Sequence, residues 1–146
     1  MRLVVYTSQY NGNEPDIGPV LGEIRSVSKQ KNRDDAITGV LFYENGHFLQ
    51  AIEGPAENIE ALVQRLRKDR RHRQMEILVD QPIEKRYFSD WNMDSVNLDN
   101  TTLFTPEIIR KLCNAYTKNI QMKDASFVAL IQDMLNTPGI ESVLNQ

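Results

Sequence analysis

Cysteine is almost missing from this chain of 146 residues: Cys113 stands alone and cannot close an internal disulfide, which fits a reducing cytoplasm. Histidine is nearly as scarce, with only His47 and His72, so a metal site rich in thiolate or imidazole has too few ligands. Apolar runs are short, as in Leu3 to Tyr6 and Val40 to Tyr43. A membrane helix needs about 20 such residues and a signal peptide roughly 7–15, so neither is expected. Basic charge is not in excess either: 17 Lys and Arg face 20 Asp and Glu, a net charge of −3, which argues against nucleic acid as the main partner. The glycine-rich phosphate loops G-x-G-x-x-G and G-x-x-x-x-G-K-[ST] are absent, and so is the nucleophile elbow G-x-S-x-G. Cys113 lies in a helical pattern far in sequence from either histidine, which predicts a buried structural thiol rather than a nucleophile. No pair of carboxylates has a spacing suited to acid–base work, so no enzymatic turnover is expected.

What remains is an ordinary soluble composition, 40% apolar and 25% charged, at a length that buries roughly 70% of the unfolded chain's surface in one domain. Residues 1–8 read as a strand rich in β-branched side chains. Ile17, Val20, Leu21, Ile24 and Val27 then recur at helical spacing, predicting an amphipathic helix that ends near Asn32. Strands over 36–43 and 47–53 are joined by Asn45-Gly46, a pair suited to a tight hairpin with positive φ at both residues. Gly54-Pro55 stops the second of these strands, and Pro55 is placed to open a helix whose stripe is Ile59, Leu62, Val63 and Leu66. Strands over 74–83 and 91–98 follow. The order β-α-β-β-α-β(β) predicts an α+β, ferredoxin-like sandwich with two helices on one face of a mixed or antiparallel sheet. Beyond Asp99, two more amphipathic helices are expected. One carries Ile108, Ile109, Leu112 and Tyr116, and the other Phe127, Leu130, Ile131, Met134 and Leu135.

Three polar or half-polar residues fall where the core should be. Side chains alternate along a strand, so Val4 shares a face with Tyr6, and Gln50 sits between Phe48 and Ile52 in an otherwise apolar row. A buried amide without partners costs about 1–3 kcal/mol, so Gln50 should be hydrogen-bonded. Asn32 brings a second amide to the same region. A plain structural account has Gln50 bridging backbone groups, Tyr6 packing in the core and Asn32 capping its helix. The segment Arg65 to Arg73 holds six cations and one anion. Most of these suit a helix C-terminus, while a functional account makes them a rim for phosphates.

Five blocks stand in order along the chain: Leu3-Val4-Val5-Tyr6-Thr7-Ser8-Gln9, then Asn32 with Ala36-Ile37-Thr38-Gly39-Val40-Leu41, and Phe48-Leu49-Gln50-Ala51-Ile52-Glu53-Gly54. Asp69-x-Arg71-His72 and Trp91-Asn92-Met93 complete the pattern. Together they resemble the BLUF family, the sensors of blue light using FAD. The resemblance covers residues 1–98 and implies a flavin-binding domain there, with 99–146 as a helical extension offering a packing or output surface. It implies that Ile24 and Leu66 sandwich the flavin ring, that Ser28 and Asn32 contact it, and that Gln50 bridges the Tyr6 hydroxyl and the ring. Arg65, Asp69 and Arg71 fall where the cofactor tail is usually held. The residue before Asn32, often Asn or His in the family, is Lys31. The cofactor implied is FAD, and FMN or riboflavin would present the same ring.

The resemblance further implies light-driven electron and proton transfer from Tyr6 to the flavin, with Gln50 as relay and its hydrogen bonds rearranged afterwards. Trp91 and Met93 become candidates for a switch beside Gln50. Output would pass through contacts with a downstream protein, whose identity the sequence does not give, or through a homo-oligomer, a dimer or larger. Two other accounts share the fold: a flavin-free interaction module, and a hydrolase of the acylphosphatase type. The latter needs an Arg in the first strand–helix loop, and residues 7–19 contain none.

Overall fold

A computed structural model describes residues 1–12, 16–105, 107–108, 111 and 125–142. Strand β1 (Arg2–Tyr10) runs two residues past its expected end and is buried along almost all its length, as suits a strand covered on both faces. Helix α1 (Ile17–Asp34), strand β2 (Thr38–Glu44), strand β3 (His47–Gly54) and helix α2 (Ala56–Lys68) follow. Strands β4 (His72–Pro82) and β5 (Asn92–Asn97) complete a five-stranded sheet of order β4-β1-β3-β2-β5. The first four strands pair antiparallel, whereas β5 runs parallel to β2, so the sheet is mixed. This is the ferredoxin-like α+β arrangement that the element order predicts.

Local chemistry sets the joints. Asn45 and Gly46 take φ of 46° and 80°, the twisted turn that matches the strands it joins. The Asn45 N–H donates to Asp99 at 3.1 Å, tying the hairpin to the chain beyond β5. Helix α1 closes at Asp35, not Asn32, and Ala36 at φ 56° turns the chain, which delays β2 to Thr38. Pro55 is the residue just before the first turn of α2. Val27, expected in the apolar stripe of α1, is exposed.

The sheet has two faces with different covers. On one, α2 packs Ile59, Leu62 and Val63 over Val4, Ile37, Ile52 and Met93. Beside it, α1 packs Ile17 and Leu21 over Tyr10, Leu41, Tyr43 and Phe48. These are separate apolar clusters. Across the other face lies helix α3 (Ala125–Leu135), whose Val128, Ile131, Met134 and Leu135 are buried with Leu3, Val5, Val40, Phe42, Leu49 and Val96. Each such side chain contributes about 1.5–3 kcal/mol on burial, so the tail covers the face the core helices leave open. The other expected tail helix, over Ile108 to Tyr116, and the Cys113 thiol fall on residues that, apart from 107, 108 and 111, lie outside the described ones.

Two details fix the β5 end. Gly39 pairs with Asn92 and Val40 with Asp94, so Met93 is an extra residue, held at φ 57°. Such a bulge reverses the side-chain alternation. Met93 therefore joins the cluster under α2, while Trp91 packs against the α3 side. On β3, the carboxylate of Glu53 is fully buried and accepts from the backbone N–H groups of Tyr87 (2.8 Å) and Phe88 (2.6 Å) and from the Thr38 hydroxyl (3.1 Å). It ties the β4–β5 loop to the sheet.

Candidate cofactor-binding cleft

Between the two helix-side clusters runs a polar seam, and there the structure opens a cleft of about 500 Å³, solvent at its mouth included. That is within the range of small-molecule sites. Helical spacing builds one wall: Ile24, Ser28 and Asn32 stand four residues apart on a single face of α1. Leu62 and Leu66, again four apart, form the facing wall on α2. The floor is the sheet, with Tyr6 from β1, Leu41 from β2, and Phe48 and Gln50 from β3. Asp69, Arg71 and His72 close the end where α2 turns into β4.

Tyr6 and Gln50 are direct partners across the β1–β3 ladder, and the Tyr6 hydroxyl donates to Gln50 Oε1. With Tyr6 3%, Gln50 5% and Asn32 3% exposed, all three are inside the fold. Burial pushes the Tyr6 phenol well above the ordinary tyrosine value, with the Asp69 charge adding to it and Arg71 opposing it. Among the described residues, Gln50 Nε2 and the whole Asn32 carboxamide make no hydrogen bond, so their donors and acceptor open onto the cleft. Neither amide behaves as the plain structural account requires, because Gln50 bonds to a phenol rather than to backbone and Asn32 caps nothing with its side chain.

At the cleft's end, Asp69 grips Arg71 through the backbone N–H (2.9 Å) and the guanidinium (2.6 Å to Oδ2). That contact holds the Asp69 carboxyl below its usual range and raises Arg71. His72 lies against the α2 terminus, with Nε2 2.5 Å from the Leu66 carbonyl oxygen and Nδ1 2.7 Å from Ser8 Oγ.

Of the residues singled out in the sequence, Tyr6, Ile24, Ser28, Asn32, Gln50, Leu66, Asp69 and Arg71 all line this one cleft. Arg65 does not: its guanidinium turns toward Asp35, 3.7 Å away, and stays largely in solvent. Lys31 is exposed and also outside it. Trp91 and Met93 are not part of the lining either, although Met93 packs in the cluster that holds the wall residue Leu62. Sequence reasoning left out Leu41, Phe48, Leu62 and His72 as site residues. Phe48 and Leu62 follow from spacing, being two residues from Gln50 and four from Leu66. Leu41 needs the β2–β3 register that sets it opposite Gln50.

These groups suit a flat heteroaromatic ring with a polar edge. Ile24, Leu62 and Leu66 supply aliphatic walls, while Gln50 in the floor and Asn32 in the α1 wall offer open amide donors and an acceptor, which fits a flavin's N5, O4, O2 and N3–H. Comparison with known proteins agrees. The family model described as sensors of blue-light using FAD matches residues 1–94. The beta subunit of the photoactivated adenylate cyclase of Euglena longa is 29% identical over 102 residues, 70% of this chain but 12% of that protein. The blue light- and temperature-regulated antirepressor BluF of Escherichia coli K12 is 28% identical over 88 residues, 60% of this chain and 21% of that one. The chain thus spans only a minor part of the length of these curated relatives. Among solved structures, the dark state of BlrB, a BLUF protein, superposes with a TM-score of 0.73 at 28% identity, covering 92% of this chain and 96% of that one. The BlsA ground state gives a TM-score of 0.72 at 26% identity, covering 92% and 87%. A family match over residues 1–94, on a fold whose polar seam fits a flavin, leads to one conclusion: the chain belongs to the BLUF family, the sensors of blue light using FAD.

Proposed function

We propose that this chain senses blue light through a flavin held between α1 and α2, and that Tyr6 and Gln50 carry out the primary event. The observation that carries this reading is the Tyr6–Gln50 hydrogen bond in a cleft where Gln50 Nε2 and the Asn32 amide have no partner among the described residues. Ile24 and Leu66 would flank the ring, Ser28 and Asn32 would meet its edge, and Asp69 and Arg71 would sit toward its tail. FAD is the form the family description names, while FMN or riboflavin would present the same ring. Arg65, whose guanidinium lies 3.7 Å from Asp35, would have to leave that contact to meet the cofactor tail.

An oxidised flavin excited by blue light supplies a strong one-electron oxidant. Tyr6 is the donor, since its hydroxyl proton already has an acceptor in Gln50 Oε1. Losing an electron makes the phenol strongly acidic, and its proton moves to the Gln50 carbonyl oxygen. When electron and proton return to Tyr6, Gln50 is left rotated or tautomerised, with its hydrogen bonds rearranged. No substrate is consumed. One rearranged hydrogen bond is worth about 1 kcal/mol net, so the output must come from a closely balanced element. The bulged β5, with Met93 on the cleft side and Trp91 on the α3 side, is the candidate.

Residues 1–98 form the flavin-binding part in this reading and 99–146 the output surface, acting on a downstream protein or on a homo-oligomer in the cytoplasm. No helix of the described residues is long and apolar enough to cross a membrane. The test is an absorption spectrum of the purified protein before and after blue light. A flavin spectrum that shifts red and relaxes in the dark is expected. A colourless protein overturns the reading in favour of a flavin-free interaction module, and a yellow one that bleaches without shifting overturns the proposed light response and leaves an unassigned flavin-binding module.

A further inference from the structure

We propose that His72 is a positioning residue of the photosensory site, stapling the end of α2 to β1 and so fixing both Leu66 and the Tyr6 ring. This rests on the flavin reading above. The carbonyl of Leu66 can only accept, so His72 Nε2 carries the proton in that 2.5 Å contact. In the neutral ring Nδ1 then accepts from the Ser8 hydroxyl, 2.7 Å away. Ser8 lies two residues from Tyr6 on the same face of β1. The His72 ring also meets the Tyr6 ring edge-on, centroids 6.2 Å apart and planes at 61°. One imidazole therefore touches a wall residue of the cleft, the strand that bears the phenol, and the phenol ring itself.

The backbone is built to aim it there. Thr7 pairs with Glu76 and Gln9 with Arg73, so β4 carries one residue more than β1 in this stretch, with Gln74 at φ 54°. Plain alternation would place His72 on the same face as Glu76, away from the helices. The bulge reverses the parity and brings His72 to the helix side opposite Tyr10. Backbone strain at a non-glycine residue persists only where its surroundings hold it, and here it delivers a side chain to the cleft.

With His72 in place, Tyr6 has little room to move when its bond to Gln50 rearranges, and the light state has to reverse through that crowded geometry. Removing the staple frees the Tyr6 ring and lets Leu66 draw back. The experiment compares wild type, His72→Ala, His72→Gln and Ser8→Ala. For His72→Ala, with flavin retained, dark recovery should be about fivefold faster, the factor that one net hydrogen bond represents, and the yield of the red-shifted state should fall. His72→Gln, whose amide keeps both a donor and an acceptor, should restore recovery to near the wild-type rate, and Ser8→Ala should lie in between. A lowered melting temperature with unchanged recovery and yield in His72→Ala would make the residue merely structural and overturn the proposal. If His72→Ala does not fold, Ser8→Ala decides in the same way, since unchanged recovery and yield there would overturn the proposal. A second readout needs no flavin: nitrogen NMR of the imidazole should show a proton on Nε2 and none on Nδ1 in the neutral ring. The opposite tautomer overturns the staple. A wild-type protein that binds no flavin but shows the Nε2 proton overturns the photosensory reading and leaves the staple standing.

Discussion

Tyr6 and Gln50 stand opposite each other on adjacent strands, and the phenol donates its only proton to the amide carbonyl. Tyr6→Phe removes that donor and leaves the rest of the ring in place. Flavin binding should survive, and the light-induced red shift should vanish. Stability should fall by about 1–2 kcal/mol, because a buried carbonyl loses its partner. Difference spectroscopy and urea unfolding check the two parts separately, and a normal red shift would remove Tyr6 from the mechanism.

Glu53→Gln tests the clamp on the β4–β5 loop. A glutamine puts an N–H₂ group where one carboxylate oxygen now accepts from the backbone of Tyr87 or Phe88. Two donors would then face each other without water. A loss of about 1–3 kcal/mol is expected, with faster amide exchange at Tyr87 and Phe88 than at β1 or β3.

Ile131→Asp addresses the cover on the second sheet face. Ile131 is fully buried against the cluster that includes Val5, Phe42 and Leu49. A carboxylate there has no described partner, so α3 should detach and expose an apolar sheet face. The expected readout is self-association in sedimentation, with the flavin spectrum in the dark retained.

Asp69 gives a pH dependence with a definite sign. Its bond to Arg71 holds the folded-state carboxyl below the unfolded value of about 3.9. The stability it contributes is present above about pH 4 and is lost as pH falls through the folded value. Asp69→Asn should therefore melt lower than wild type at pH 7, and the gap should close in acid. A gap that persists at pH 2 would mean that the charge is not what matters. Tyr6 has the opposite sense: its raised value means stability falls as pH rises beyond about 10.

Met93 and Trp91, two residues apart, should respond differently to truncation. Met93→Ala removes a buried side chain from beneath α2 and should cost about 2–3 kcal/mol in urea unfolding. Trp91→Phe keeps most of a partly exposed contact and should cost less than about 1.5 kcal/mol. Equal losses would contradict the deeper burial of Met93.

Much of this protein is decided locally. Asn45-Gly46 dictates its own turn, the apolar alternation in 47–53 fixes which face Gln50 shares with Phe48, and the four-residue spacing of Ile24, Ser28 and Asn32 puts them on one side of a helix. Short-range sterics and periodicity suffice for these, which is why the element order and the sandwich could be read from the residues, whereas Ile24, Ser28, Leu66, Asp69 and Arg71 were assigned to the site by the family resemblance. Tertiary structure decided what depends on strand register. His72 and Met93 reach the helix side only because bulges at Gln74 and Met93 break the alternation. The direction of Arg65 depended on where Asp35 lies after folding, and the role of Glu53 on a loop more than 30 residues away. A bulge is stabilised by the partner strand and the packing around it, and neither is encoded within the few residues that form it.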